Sequence, residues 1–99
     1  MDNIGNAILK IRKARKVTQQ ELSDALGITQ THLSQVESGK KQPSLALIER
    51  VEYHFGVPVS VIMWAGVKEN QVDFEKREKF RVLKPVIDDL IESLFFKFD

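Results

Sequence analysis

The chain has 99 residues, of which 42% are hydrophobic and 29% are charged, and this balance is typical of a small globular domain. It contains no cysteine, which excludes a disulfide framework and a zinc site with thiolate ligands. The net charge of +1 is divided unevenly, because residues 1–41 carry +3 and the remainder carries −2. This division favours either an anionic partner for the first part or a solvated basic helix face.

The first two helices are predicted from apolar periodicity and capping signals. Residues 3–15 carry apolar side chains at helical spacing. Thr18 and Glu21 have the spacing of a capping box, which predicts that a second helix begins directly after Thr18. Gly27 can adopt the left-handed conformation that ends this helix. Its buried side is expected to consist of Leu22, Ala25 and Leu26.

Three further helices follow at short intervals. Thr29 is a suitable N-cap for a third helix over about residues 30–38. Ser44 caps a fourth helix over residues 45–55, and a fifth helix over residues 58–64 begins with a proline. The inward positions of the fourth helix are predicted to be Leu45, Leu47, Ile48, Val51 and Phe55.

The remainder of the chain is predicted to be a linker followed by a helical tail. Residues 67–73 are polar, and the pattern is helical again from Phe74. Pro85 should start a new helix in this tail or kink the existing one. Since no stretch alternates with period two for long enough to form a sheet, the sequence predicts an all-α fold. It divides into a compact unit, residues 1–66, and an extension, residues 67–99.

The second and third helices have the arrangement of a helix-turn-helix, because a short turn containing Gly27 joins them. Leu33 and Val36 lie on the inner side of the third helix. Its outer face is uncharged and rich in groups that both donate and accept hydrogen bonds, namely Thr31, Ser34, Gln35 and Ser38. A solvated face would more often carry Lys and Glu, whereas amides and hydroxyls match the base edges of the DNA major groove.

These residues resemble the Xre or Cro/CI-type helix-turn-helix proteins, which include the lambdoid phage repressors. The resemblance covers about residues 4–66 and is carried by Arg12, Thr18-Gln19-Gln20-Glu21-Leu22, Gly27-Ile28, Leu33-Ser34-Gln35-Val36-Glu37-Ser38-Gly39-Lys40 and Gln42-Pro43-Ser44. It implies a five-helix, lambda-repressor-like DNA-binding domain. The extension lies outside it.

The resemblance also implies roles for single residues. The implied base readers are Gln30, Thr31 and Gln35, to which the polar outer face adds Ser34. The implied phosphate contacts are Gln19, Lys40 and Lys41, and His32 is a further candidate for phosphate. Arg12 and Glu37 occupy positions that form a structural ion pair in many members. Thr31 stands where lambdoid repressors often carry a second glutamine, so that no operator sequence can be transferred.

Two groups of residues leave alternatives open. Lys13, Arg15 and Lys16 precede the second helix, where they are either solvated or able to reach the DNA backbone. The tail carries an apolar helical stripe, whose members are Leu83, Val86, Ile87, Leu90, Ile91, Leu94, Phe95 and Phe98, with Phe96 on the other side. Because contiguous exposed apolar patches beyond a few hundred Å² usually mark an interface, we expect two tails to pack as a homodimer. The alternative is that the tail folds back on its own core.

No catalytic motif is present: the sequence lacks a nucleophile elbow, a phosphate loop, a paired-carboxylate motif and a metal-binding helix. We therefore expect no enzyme activity, no cofactor and no metal. Nor is a signal peptide or a membrane span expected, since no apolar stretch approaches the roughly 20 residues that cross a bilayer.

The leading hypothesis is a sequence-specific transcriptional regulator, most simply a repressor, that binds double-stranded operator DNA of near-palindromic sequence as a homodimer. It would be encoded by a bacterium or a phage, lie in the cytoplasm at the nucleoid, and block or recruit RNA polymerase. An alternative from another class is an antitoxin-like or adaptor protein whose C-terminal helix binds a partner protein.

Overall fold

The computed structural model describes residues 1–97, and within them all regular structure is helical. The α-helices are α1 (Ile4–Ala14), α2 (Gln19–Leu26), α3 (Gln30–Glu37), α4 (Leu45–Phe55), α5 (Val59–Trp64) and α6 (Arg77–Ile91). Two 3-10 turns, Glu69–Gln71 and Phe74–Lys76, connect α5 to α6, and a π-helical turn, Glu92–Phe96, follows α6. The predicted all-α fold is confirmed. No helix in the described range is long and apolar enough to cross a membrane.

Local capping signals place the helix ends where the sequence predicts them. The Thr18 hydroxyl accepts from the Glu21 N–H at 3.1 Å, and the Glu21 carboxylate accepts from the Thr18 N–H at 3.1 Å. Hydrogen bonds from the Thr18 side chain and from the Thr18 backbone N–H to the Glu21 carboxylate hold the pKa of Glu21 below its ordinary value. Thr29 and Ser44 cap α3 and α4, and Gly27 ends α2 at a φ of +70°. The turn between α2 and α3 is therefore fixed by local hydrogen bonding at both of its ends.

The core lies where α1 to α5 meet, and its buried apolar side chains from these helices and their junctions are Ala7, Ile8, Ile11, Leu22, Leu26, Leu33, Val36, Leu47, Ile48, Val51, Phe55, Val57, Ile62 and Ala65. Two predicted core positions are wrong, because Ala25 and Leu45 are exposed. At 100° per residue, each lies about 110° from the centre of the buried arc of its helix. Both belong to the solvent side.

The tail returns to this five-helix body. Phe96 is 1% exposed and joins the core, and Ile91 and Phe95 pack against it. Ile91 and Phe95, predicted for the homodimer interface, are therefore half-buried against the core of their own chain. Phe98 lies outside the described residues. Pro85 lies inside α6 and does not start a new helix, which corrects that part of the prediction.

The face of α6 toward the body combines polar contacts with an aromatic one. The Trp64 Nε1–H donates to Asp88 at 2.8 Å, and Lys84 Nζ donates to both Asp88 oxygens at 3.1 and 3.0 Å. The Phe80 and Trp64 rings lie 6.3 Å apart. Burial would raise the pKa of Asp88, but the hydrogen bonds from Lys84 and Trp64, together with nearby positive charge, lower it below its ordinary value. Asp88 is thus an ionised anchor between α5 and α6.

Asp88→Asn tests this anchor. Since the pKa of Asp88 is lower in the folded chain, its carboxylate stabilises the fold above the unfolded pKa of about 4, and this contribution is lost as the pH falls through the folded value. We expect the variant to melt below the wild type at pH 7, and the two melting temperatures to converge below about pH 4. Fluorescence of Trp64, the one tryptophan of the sequence, follows the transition. A difference that stays constant over this pH range would contradict an ionised anchor.

Candidate nucleic-acid interface

The outer face of α3 is a continuous polar surface. Leu33 and Val36 are fully buried on the opposite side of the helix, which fixes its rotation about its axis. The predicted base readers Gln30, Thr31, Ser34 and Gln35 are exposed, and with Gln19 they line a shallow depression of about 300 Å³. The structure thus brings the predicted base readers together on one surface. Of these side chains none is charged, so the surface selects partners by hydrogen bonding.

A buried ion pair lies beneath this surface. Glu37, the last residue of α3, is only 6% exposed. Arg12 of α1 donates from Nε to one Glu37 oxygen at 2.7 Å and from Nη2 to the other at 2.9 Å. The remaining Arg12 nitrogen donates to the Val17 carbonyl at 3.1 Å. This two-pronged geometry fixes both distance and orientation, so that α1 holds the C-terminal end of α3.

The ion pair continues into the surface through two glutamines. Gln19, the first residue of α2, donates from Nε2 to Glu37 at 3.0 Å. Gln30, the first residue of α3, donates from Nε2 to Gln19 Oε1 at 3.3 Å. Gln30 retains its carbonyl oxygen and one N–H for a ligand, whereas Gln19 retains one N–H. For Gln19, predicted as a phosphate contact, a single side-chain donor is left for that purpose.

The predicted phosphate-binding loop follows α3 directly. Lys40 and Lys41 are exposed, and within residues 1–97 neither ammonium pairs with a carboxylate. The loop is held by the Lys41 N–H, which donates to the Gln35 carbonyl at 3.1 Å. His32 is half-buried, and its ring makes no hydrogen bond within the described chain. Two positive charges therefore border the uncharged face of α3.

Two residues that hold parts of the fold together, Gly5 and Arg15, were not predicted from the sequence. Gly5 is buried where α1 crosses the end of α3, and a Cβ there would lie 1.8 Å from the Val36 carbonyl oxygen. Only glycine permits this approach, and a glycine inside a helix was the available signal. Arg15 is one of the three basic residues for which the sequence leaves open a solvated position or a DNA contact. In the structure it donates to backbone carbonyls of its own chain. No sequence signal distinguished it from Lys13.

Comparison with known proteins identifies the family of this fold and surface. A model of the helix-turn-helix family matches residues 8–62, which is more than half of the chain. The chain belongs to the Xre- and Cro/CI-type helix-turn-helix regulators. This is a family of DNA-binding regulators and not of enzymes. The resemblance inferred from the sequence is confirmed.

Two of the relatives are phage repressors. The chain is 31% identical, over 82% of its length, to the immunity repressor protein of Bacillus phage phi105, and it spans 58% of that protein. It is 25% identical, over 89% of its length, to the cryptic phage CTXphi transcriptional repressor RstR of Vibrio cholerae, of which it spans 78%. A match over 88 of 99 residues must extend beyond residue 66. The extension therefore takes part in the similarity.

Arg12→Ala tests the ion pair. We expect it to lower the free energy of unfolding by about 3–5 kcal/mol, because the buried Glu37 carboxylate is left as an uncompensated charge. Lys13→Ala is the matched control, since Lys13 is an exposed neighbour on the same helix and should change stability by less than about 0.5 kcal/mol. Urea unfolding followed by circular dichroism measures both. Equal stabilities of the two variants would contradict a structural role for the pair.

Proposed function

We propose that this chain is a sequence-specific transcriptional repressor that binds a near-palindromic operator in bacterial cytoplasm as a homodimer. The observation that carries the proposal is the uncharged, hydrogen-bonding face of α3, which is held in a fixed orientation by Arg12 and Glu37 and bordered by Lys40 and Lys41. The family and the repressor names of the phage relatives support it. Repression then requires no chemistry, since an occupied operator blocks RNA polymerase.

In this proposal α3 lies in the major groove. The amides of Gln30 and Gln35 read base edges, and a glutamine amide can bond both N6 and N7 of adenine. Thr31 and Ser34 add hydroxyl contacts and the threonine methyl group. Because Gln30 is already hydrogen-bonded to Gln19, its side chain is ordered before DNA binds and loses less rotamer freedom on binding.

The backbone contacts are supplied from both ends of the reading face. Lys40 and Lys41 lie beyond the C-terminal end of α3, and Gln19 opens α2 at the other side. His32 adds a further donor toward phosphate. Contacts of this kind fix the register of the helix on the duplex without reading sequence. The proposal therefore divides the surface into bases at its centre and phosphates at its edges.

A homodimer is favoured by the orientation of α6. Its outward face is apolar, with exposed fractions of 45% for Leu83, 64% for Val86, 36% for Ile87 and 56% for Leu90, and Leu94 in the following turn is 65% exposed. Toward the body, Asp88 accepts from Trp64 at 2.8 Å and Lys84 donates to the Met1 carbonyl at 3.1 Å, beside the Phe80 ring. A helix on a monomer would normally bury its whole apolar stripe, so that the exposed part of this stripe indicates a partner.

A second copy of the chain suits this face. The eight residues of α3 read a single half-site, and helix-turn-helix proteins gain specificity by pairing two such sites about one DNA turn apart. A two-fold axis at α6 would bring one surface against its own copy, which is how most small homodimers form. The operator would then share the two-fold symmetry of the protein.

Gln35→Ala tests base reading on operator fragments selected from random DNA. We expect specific binding to weaken by about 1–3 kcal/mol for each half-site, because an amide pair to a base is lost. Binding to random DNA should change by less than about twofold, since phosphate contacts are untouched. Fluorescence anisotropy on both DNAs measures the two affinities. Equal losses on operator and random DNA would remove Gln35 from the base readers.

The contrast for this experiment is the double variant Lys40→Ala, Lys41→Ala. It should weaken binding to both DNAs and lower the slope of log K against log salt by roughly two to four for the dimer. Gln35→Ala should leave that slope unchanged. A double variant with the wild-type slope would show that these lysines are solvated.

Leu90→Glu tests the homodimer by sedimentation. We expect a wild-type dimer and a dimer dissociation constant at least about tenfold higher in the variant, because a charge would be buried at the interface. Leu45→Glu is the matched control, since Leu45 is 57% exposed and Leu90 is 56% exposed. Point variants are preferable to removal of the tail, which would also take Phe96 from the core. A monomeric wild type would assign the apolar face to another protein, as in an antitoxin or adaptor.

A further inference from the structure

Arg15 joins three parts of the chain with one guanidinium group. It lies directly after α1, and its Nε donates to the Phe96 carbonyl at 2.8 Å. Its Nη2 donates to the Phe95 carbonyl at 2.9 Å, and its Nη1 donates to the Phe55 carbonyl at 3.0 Å. The guanidinium carbon also lies 5.7 Å from the centre of the Phe55 ring. The side chain is half-buried and directed into the protein.

The three acceptors are carbonyls at helix ends. Phe55 is the last residue of α4, and Phe95 and Phe96 end the π-helical turn behind α6. Carbonyls at such positions lack partners within the helix and carry the negative end of its dipole. A planar guanidinium with donors in a fixed fork can serve three of them at once, whereas a lysine ammonium has no such geometry. Arg15 is therefore a cap shared by two helices.

Other contacts hold the same end of α6 to the body. Phe96 is buried in the core beside this cap, and Lys10 of α1 pairs with Glu92 at 3.1 Å. One turn nearer the N-terminus of α6, Asp88 accepts from Trp64 at 2.8 Å. The contacts with the body thus follow one another along the C-terminal part of the helix and the turn after it, and they leave Leu83, Val86 and Leu90 exposed.

We propose that Arg15 is a positioning residue that sets the operator spacing, by fixing the angle between the body and α6. The inference rests on the proposed homodimer, in which α6 lies at the two-fold axis and α3 lies on the body. The molecule is 44 Å along its longest axis. At about 20 Å from the axis, a rotation of about 10° moves α3 by about 3.5 Å, which is one base-pair step. A firmly held α6 therefore selects one distance between half-sites.

The test uses the full chain and a series of operators that differ only in the distance between the two selected half-sites. Arg15→Lys keeps the charge but loses the fork, and Arg15→Gln loses both. Lys13→Gln is the control, since it removes one exposed positive charge from the same segment. Circular dichroism and sedimentation establish that each variant is folded and dimeric before DNA is added.

We expect the wild type and Lys13→Gln to prefer one spacing by about 100-fold over spacings changed by two or three base pairs. Both Arg15 variants should remain dimers, since the outward face of α6 is unchanged, but their preference should fall to less than about tenfold. Their affinity for a single half-site should match the wild type.

Three results would overturn the proposal. Arg15 variants that keep the full spacing preference would show that the cap does not set the angle. Equal losses in Arg15→Gln and Lys13→Gln at every spacing, with lower salt slopes, would make Arg15 a phosphate contact. A wild type that is monomeric or selects single half-sites would reject the homodimer, and this outcome is recognised before any variant is made.

Discussion

The buried carboxylate of Glu37 is the constraint on which the reading surface depends. A charge that is 6% exposed is costly unless it is fully hydrogen-bonded, and its partners come from two other helices, Arg12 from α1 and Gln19 from α2. Apolar packing is not directional, whereas these three hydrogen bonds fix orientation. The first residue of α3, Gln30, is then placed through Gln19. The hydrogen bonds that stabilise the buried carboxylate therefore also orient the surface of α3.

Local sequence signals were sufficient to predict where the helices of the body begin and end, but not which side of each helix is exposed to solvent. The Thr18 capping box and the left-handed Gly27 depend on neighbours in sequence, and the structure contains both. Leu45 was placed inward by its residue type, but the rotation of α4 is decided by long-range packing. At the end of the tail, the Lys97 N–H donates to the Glu92 carbonyl five residues back, so that a regular helical wheel no longer describes Phe95.

In the candidate site, too, features set by local sequence could be predicted, and features set by long-range contacts could not. The outer face of α3 could be predicted, because an uncharged row of amides and hydroxyls is visible in the sequence and the family motif locates it. The role of Arg15 could not be predicted, since its guanidinium donates to backbone carbonyls, which every residue type carries. The polar contact between α6 and Trp64 could not be predicted either, because Asp88 and Lys84 have the spacing of an ordinary solvated ion pair.

Only some of the basic residues in the N-terminal region are free to contact an anionic partner. Arg12, Arg15 and Lys10 are engaged within the chain, and Lys13, Lys16, Lys40 and Lys41 remain exposed. On the proposed function, Lys40 and Lys41 of two subunits contribute about four to the magnitude of the salt slope. This is a moderate electrostatic contribution, so that a single subunit should bind random DNA weakly. Occupancy of an operator must then come from base contacts and from pairing of two subunits, and both depend on how rigidly α3 and α6 are held to one body.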